Sequence, residues 1–418
     1  MTNETQQPEI SGDETGKAAI EKSNNRGKLI LALGMTLFAI GQSLLFIVVA
    51  PFAQSIGMSE VTFGIILSVS NIPLLFAAPW WGKRSDKVGR RPVFIIGLVG
   101  SGTGTLLVAM ALQGGISGWY PVAWTGFFFG LARAFYSATG SAIYPSSSAY
   151  MADVTPPSKR AQGMALIGGA NSLGSIIGPL IGGGLAFMGL LFPMYVIGCI
   201  TLGGAVMAYF LLREPTKHVE TSGQTSNLKF TDKRLVPYII LWGCFFLCFI
   251  ALNIVTAFYI SSKFGLTDPA DVAATAGKAL LVLAVVITVA QGLVFQVFKP
   301  SPAILMKSFG PIYVLGFLII GLAPTIPVMV AGYAVLGLAF AFATPGLNGA
   351  ASLAVEPHEQ GTAAGYLAAA NTSGAIIGPL VGPALYSIAP NMPMLASAGL
   401  FAILSIYALT IKVEKHHD

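Results

Sequence analysis

The sequence predicts an all-α polytopic membrane protein, twelve transmembrane helices in two six-helix bundles, on three observations. Charged residues make up only 10% of the 418-residue chain and hydrophobic residues 54%. Apolar runs long enough to span a bilayer recur along its length. A segment of the first half returns in the second at an offset of 200 residues. A soluble globular chain averages roughly 25% charged residues. With a mean hydropathy of +0.74, this chain could not cover a water-exposed surface, so its solvent is the lipid bilayer.

A spanning helix takes about 20 mostly apolar residues. Such runs fall at 28–53, 61–81, 93–113, 119–149, 162–188, 192–212, 235–261, 273–298, 309–324, 326–354, 361–388 and 391–411. In hydrocarbon every backbone amide must pair within its own segment, so these runs are helices. The run at 309–324 is short and is expected to begin earlier. Residues 1–27 are polar and mixed in charge, without the apolar core of a secretory signal, and read as a disordered cytoplasmic tail. The polar, basic stretch 213–234 reads as a linker between an N-terminal bundle (28–212) and a C-terminal bundle (235–411), with a short tail at 412–418.

The basic residues orient the chain. With the N-terminus inside, 20 of the 23 lysines and arginines lie on the cytoplasmic side. Only Lys263 and Lys278 fall near the outer side, and Arg133 falls within a span. That asymmetry predicts both termini in the cytoplasm, and the inner membrane of a bacterium as the location. The net charge of +6 is scattered over short loops, which fits topology and not nucleic-acid binding. Cys199, Cys244 and Cys248 lie in apolar runs and read as buried free thiols. No metal site, no cofactor and no nucleophile–base pair is visible, so the chain is not read as an enzyme.

The repeat is specific. Residues 170–183 read ANSLGSIIGPLIGG and residues 370–383 read ANTSGAIIGPLVGP, with nine of fourteen positions identical. Pro193-Met194 and Pro393-Met394 share the offset. Transporters are commonly built from such repeats, with the substrate site at their interface.

The segment after the second span reads Gly82-Lys83-Arg84-Ser85-Asp86-Lys87-Val88-Gly89-Arg90-Arg91-Pro92. It resembles the signature G-x-x-S/A-D-R-x-G-R-R of the major facilitator superfamily, departing at Lys87. The next inner segment, Ala152-Asp153-Val154-Thr155-Pro156-Pro157-Ser158-Lys159-Arg160, is also similar to that family. The resemblance extends by topology over 28–411 and implies the major facilitator fold. Gly82 and Gly89 would allow a tight backbone. Asp86, an acid among bases at a helix end, can pair with Arg90 and face the positive N-terminus of another helix. The resemblance implies that this helix is the eleventh, starting near Gln360, that Asp153 is a second partner of Arg90, and that the cluster, Arg91 included, latches the cytoplasmic side. A plain positive-inside anchor is the alternative.

The fifth span carries Gly174, Gly178, Pro179 and Gly182, and the eleventh carries Gly374, Gly378, Pro379 and Gly382. Glycines at i+4 spacing give a smooth face that another helix can approach closely, and each proline removes one backbone donor. Helix packing alone would account for both copies. In the family, the fifth-span pattern is associated with antiporters that export drugs or metabolites.

Arg133 is a charge near the middle of a span, costly there and a functional candidate for that reason. In the family such an Arg belongs to a pattern with Gly four residues later, where this chain has Ser137. Backbone carbonyls or Gln42 are its alternative, purely structural, partners. The resemblance places the cavity between spans one, four, seven and ten, which makes Gln42, Arg133, Tyr136, Asn253 and Asn348 the polar candidates. Asn71, Asn171, Gln291 and Asn371 face the cavity or join helices. No Asp or Glu lies inside a span, so protons, the coupling ion the family implies, lack an evident carrier; Lys278 is one candidate. A guanidinium with no acid to neutralise it favours an anionic or zwitterionic cargo. The reading is therefore a monomeric secondary transporter that exports a small molecule. An uptake symporter is the alternative, and a non-transporting receptor or channel is the alternative from another class.

Overall fold

The computed structural model describes residues 11–155, 160–215, 228–294, 298, 300–356 and 359–411, and among these residues there is no strand. The first apolar run is α1 (Ser11–Leu44), continuing through a π-helical turn (Leu45–Val49) into α2 (Ala50–Ser55). It is followed by α3 (Glu60–Val88), α4 (Arg90–Ile116), α5 (Thr125–Gly140), α6 (Ile143–Val154), α7 (Arg160–Gly184) and α8 (Phe192–Leu211). The second half holds α9 (Val236–Phe264), α10 (Pro269–Val289), α11 (Pro302–Leu322), α12 (Ile326–Leu353), α13 (Gln360–Tyr386) and α14 (Met392–Thr410).

Among the described residues, ten helices are long and apolar enough to cross a membrane. Two of the twelve expected spans are not among the ten. The fourth is divided between α5 and α6 at Ser141-Ala142. The eleventh, α13, is 27 residues long but rich in Gly, Ala, Thr and Asn. The ninth run begins at Pro302, earlier than its apolar core, with Ser301 Oγ accepting from the Ile304 amide as an N-cap. Helix α1 begins at Ser11, inside the stretch read as a tail, whose residues 1–10 lie outside the described residues, as do 216–227 of the linker and the tail 412–418.

The two halves pack alike. In the first half α1 lies on α7, α3 on α5, and α4 on α5 and α8; in the second, α9 lies on α13, α10 on α12, and α11 on α12 and α14. For α7 and α13 the same neighbour recurs because the same small-residue face recurs, at Gly174 and Gly178 and at Gly374 and Gly378. Across the molecule, α3 meets α13 and α7 meets α10. At the linker's end Arg234 bonds Asp232 at 3.0 Å and the buried Glu359, just before α13, at 3.1 Å. The hydrogen bonds from Arg234 hold the Asp232 carboxyl below its ordinary range and raise the guanidinium above its own. Of the three cysteines only Cys248 is fully buried; Cys199 is exposed on α8. Its apolar neighbourhood is an outward face, which corrects the expectation that all three thiols are buried.

Candidate functional site

Helical spacing builds the centre of the first half. Tyr136 and Ser137 follow Arg133 by three and four residues on α5, so all three share one face. The guanidinium lies over the Tyr136 ring, 4.8 Å from its centroid, a favourable arrangement for a desolvated cation. Its Nη1 donates to Ser137 Oγ at 3.0 Å, and Ser137 Oγ donates to Asn71 Oδ1 of α3 at 3.1 Å. Phe38 of α1 stacks on Tyr136 at 6.1 Å. Gln42 lines the same cleft, yet Arg133 takes Ser137, not Gln42 or a backbone carbonyl, as its hydrogen-bond partner. Arg133 Nε and the Tyr136 hydroxyl are buried without a hydrogen-bond partner. Buried polar atoms are normally paired, so these two, one of them on a cation, are candidates to meet a bound acceptor.

Three sequence candidates do not join this cleft. Asn253 is buried and bonds the Phe249 carbonyl of its own helix at 2.8 Å. Asn348 is exposed and bonds the Thr344 carbonyl of its own helix at 2.8 Å. Lys278 is exposed on α10. Apolar helices carry no periodic signal that separates a cavity face from a lipid face, and polar residues whose amide finds its own i−4 carbonyl read the same in sequence as cavity residues.

The glycines and prolines of the repeat do two separate jobs. Gly174 and Gly178 pack α7 on α1: a Cβ on Gly174 would lie 2.5 Å from the Ala39 Cβ, and one on Gly178 would lie 3.1 Å from the Ile40 carbonyl. Gly374, Gly378 and Gly382 pack α13 on α9, where a Cβ would come within 2.8 Å of the Leu247 nitrogen, 2.9 Å of the Ile250 Cβ and 2.6 Å of the Ala251 carbonyl. Gly182 is buried on α7. The proline carbonyls face the opposite half. Pro179 O sits 3.1 Å from where a Cβ would stand on Gly277, and Pro379 O lies against Gly64. The Pro379 carbonyl has no donor in its own helix because residue 383 is also proline, and the approach of Gly64 gives it a Cα–H neighbour. Likewise Pro345 frees the Ala341 carbonyl, to which Gln291 donates at 3.3 Å. That places Gln291 as a link between helices.

The basic segment is less a loop than two helix ends joined by one residue. α3 ends at Val88, Gly89 has φ +105°, and α4 begins at Arg90. Only a glycine tolerates that φ readily, and a Cβ there would lie 2.8 Å from the Glu214 carboxylate. Gly82 lies inside α3, and a Cβ on it would come no nearer to a neighbour than 3.9 Å, from Pro145 Cβ, so the tight backbone rests on Gly89. Arg90 donates to Asp153 at 3.0 Å, to Ser85 Oγ at 2.9 Å, and to Asp86. Asp86 is itself largely exposed, at 61%. Arg91 donates to the Tyr209 carbonyl of α8 and lies 5.4 Å from that ring's centroid. Glu214, just after α8, accepts from the Arg90 and Arg91 amides at 2.5 and 3.0 Å, a carboxylate cap on the positive end of α4. The sequence shows an acid in the basic run after the sixth span and nothing that names its partner helix. Glu214→Ala is expected to destabilise the first half by about 1 kcal/mol. An unchanged thermal-unfolding midpoint in detergent would show that the cap contributes nothing.

The profile of the Major Facilitator Superfamily matches residues 31–312 and 309–418. Multidrug resistance protein 2 of Bacillus subtilis is 26% identical over 425 residues, covering 96% of this chain and 99% of its own length. The class B tetracycline resistance protein of Escherichia coli is 25% identical, covering 85% of this chain and 88% of its own. Among solved structures, a bacterial homologue of the iron transporter ferroportin in an inward-facing state superimposes with a TM-score of 0.69 at 16% identity, covering 92% of this chain and 99% of that one. The human organic anion transporter MFSD10 (TETRAN) superimposes with a TM-score of 0.66 at 21% identity, with the same coverage. The profile match across both halves, with the repeated packing of the two halves, places this chain in the Major Facilitator Superfamily of membrane transporters.

Proposed function

We propose that the chain exports a small anionic or zwitterionic molecule by alternating access between its two bundles. The observation that carries the cargo class is the buried Arg133, whose Nε, like the Tyr136 hydroxyl, has no hydrogen-bond partner. A planar guanidinium suits a carboxylate or phosphate, and a cationic compound would meet repulsion there. Export is supported by the full-length likeness to proteins whose names describe multidrug and tetracycline resistance.

The basic clusters favour both termini in the cytoplasm. On that orientation the contacts of Gly64 with Pro379 and Gly277 with Pro179 close the outer side, and the cleft faces inward. The Asp86–Arg90–Asp153 cluster then lies on the cytoplasmic side, where it latches the alternate state. Joining Asp86→Cys to Gln360→Cys by a disulfide is expected to abolish flux, with recovery on reduction. Full transport in the oxidised protein would reject alternating access at this latch.

The direct test of function is flux in proteoliposomes of known orientation, with a panel of carboxylates, zwitterions and lipophilic cations. Outward movement of the carboxylates is expected. Inward accumulation would make the chain an uptake symporter. Protons are the coupling ion that the family resemblance implies, and imposing a pH gradient on the same vesicles tests them directly.

A further inference from the structure

Asn71 meets the arginine cleft and the opposite bundle at once. Its Oδ1 accepts from Ser137 Oγ at 3.1 Å, and its Nδ2 donates to the Ala375 carbonyl of α13 at 3.2 Å. Ser137 Oγ in turn accepts from Arg133 Nη1 at 3.0 Å. Arg133, Ser137 and Asn71 are 6%, 5% and 9% exposed, so water competes little for these bonds. The last acceptor is special. Pro379 has no N–H, so the Ala375 carbonyl, four residues earlier, has no donor within α13. Asn71 supplies the donor that the helix lacks.

The chain of bonds has a fixed direction. Only the NH₂ end of an amide can serve a carbonyl, so Asn71 Oδ1 must face Ser137. The Ser137 hydrogen must then point at Asn71, which leaves its lone pair for Arg133. Each link orients the next, from a cation in one half to a freed carbonyl in the other.

We propose that Asn71 is a positioning residue that couples engagement of Arg133 to closure of the two bundles along α3 and α13. With Nη1 on Ser137, the relay holds Asn71 against Ala375. A bound anion that draws the guanidinium away removes the donor to Ser137, whose hydroxyl is then free to turn. Asn71 Oδ1 loses its donor, the amide is released, and the hold on α13 weakens. Occupation of the cleft thus loosens the side that must open next. The proposal rests on the reading of Arg133 as the group that meets the cargo. Its test needs no cargo, so the two can fail separately.

Spin labels at Val61→Cys and Ile388→Cys, exposed positions at 38% and 69% near the ends of α3 and α13, report the closed-to-open ratio of the full chain in nanodiscs. A hydrogen bond of ordinary strength sets the scale at about two- to tenfold. Ser137→Ala is expected to lower the ratio by that factor, and Ser137→Thr, which keeps the hydroxyl, to stay near the parent value. Arg133→Gln is expected to lower it in the parent and to leave it unchanged in the Ser137→Ala background, because the relay is already cut. Ser137→Ala removes a single oxygen and leaves the packing in place, so it carries the test even where Arg133→Gln inserts poorly. An unchanged ratio in Ser137→Ala, or independent multiplicative effects of the two substitutions, would overturn the proposal.

Discussion

Replacing Arg133 with Gln is expected to reduce carboxylate flux roughly a hundredfold, the order of loss found when one partner of a buried charge pair is truncated, about 3 kcal/mol. The guanidinium is the cation of this cleft, and its Nε is a buried donor with no acceptor. Glutamine keeps a donor but not the charge that offsets desolvation of an anion. Arg133→Lys is expected to retain part of the flux, since the ammonium keeps the charge and loses the planar fork. Lipophilic cations such as ethidium are expected to be poor substrates of the parent protein. The measurement is initial flux in proteoliposomes at matched protein density. Efficient ethidium movement by the parent, unaffected by Arg133→Gln, would show that the site reads shape alone and that Arg133 is structural.

Gly64→Val is the second large effect. A Cβ on Gly64 would overlap the Pro379 carbonyl and stand 2.8 Å from Pro383 Cγ. The obstacle is backbone and a proline ring, so no side chain can turn aside, and overpacking of this kind typically costs 1–3 kcal/mol. The strain exists only while α3 and α13 are together, so the variant should insert normally but favour the state in which they part. Turnover is expected to fall about tenfold or more. Gly277→Val meets the Pro179 carbonyl at 3.1 Å and should be the milder of the two. Equal flux in Gly64→Val and the parent would show that α3 and α13 need not touch during the cycle.

The spans were legible because lipid imposes a strong rule: a segment crosses only if it is long, apolar and self-bonded. Divergence from the expected spans came where that rule is relaxed. The α5–α6 break at Ser141-Ala142 is a turn between helices that each pack on neighbours. In α13, close packing on α9 through Gly374, Gly378 and Gly382 goes with a long helix of low hydropathy. The pairing of Arg90 with Asp86 and Asp153 was readable from charge pattern together with the family resemblance. The carboxylate cap from Glu214 was not, because it joins positions 124 residues apart and no local spacing announces such a contact.

The cleft divides in the same way. Arg133, Tyr136 and Ser137 share a face by helical periodicity, and a charge in an apolar run marks itself. Asn253, Asn348 and Lys278 were equally polar in sequence, but two amides close on their own helix and the lysine is exposed. By itself the sequence determined the solvent, the helices, the internal repeat and the lone cation, because each depends on composition or local period. Only the tertiary structure decided which helix receives each carbonyl that a proline sets free. Proline states that a donor is missing, whereas the donor's identity, Asn71 for Ala375 and Gln291 for Ala341, depends on how two helices cross.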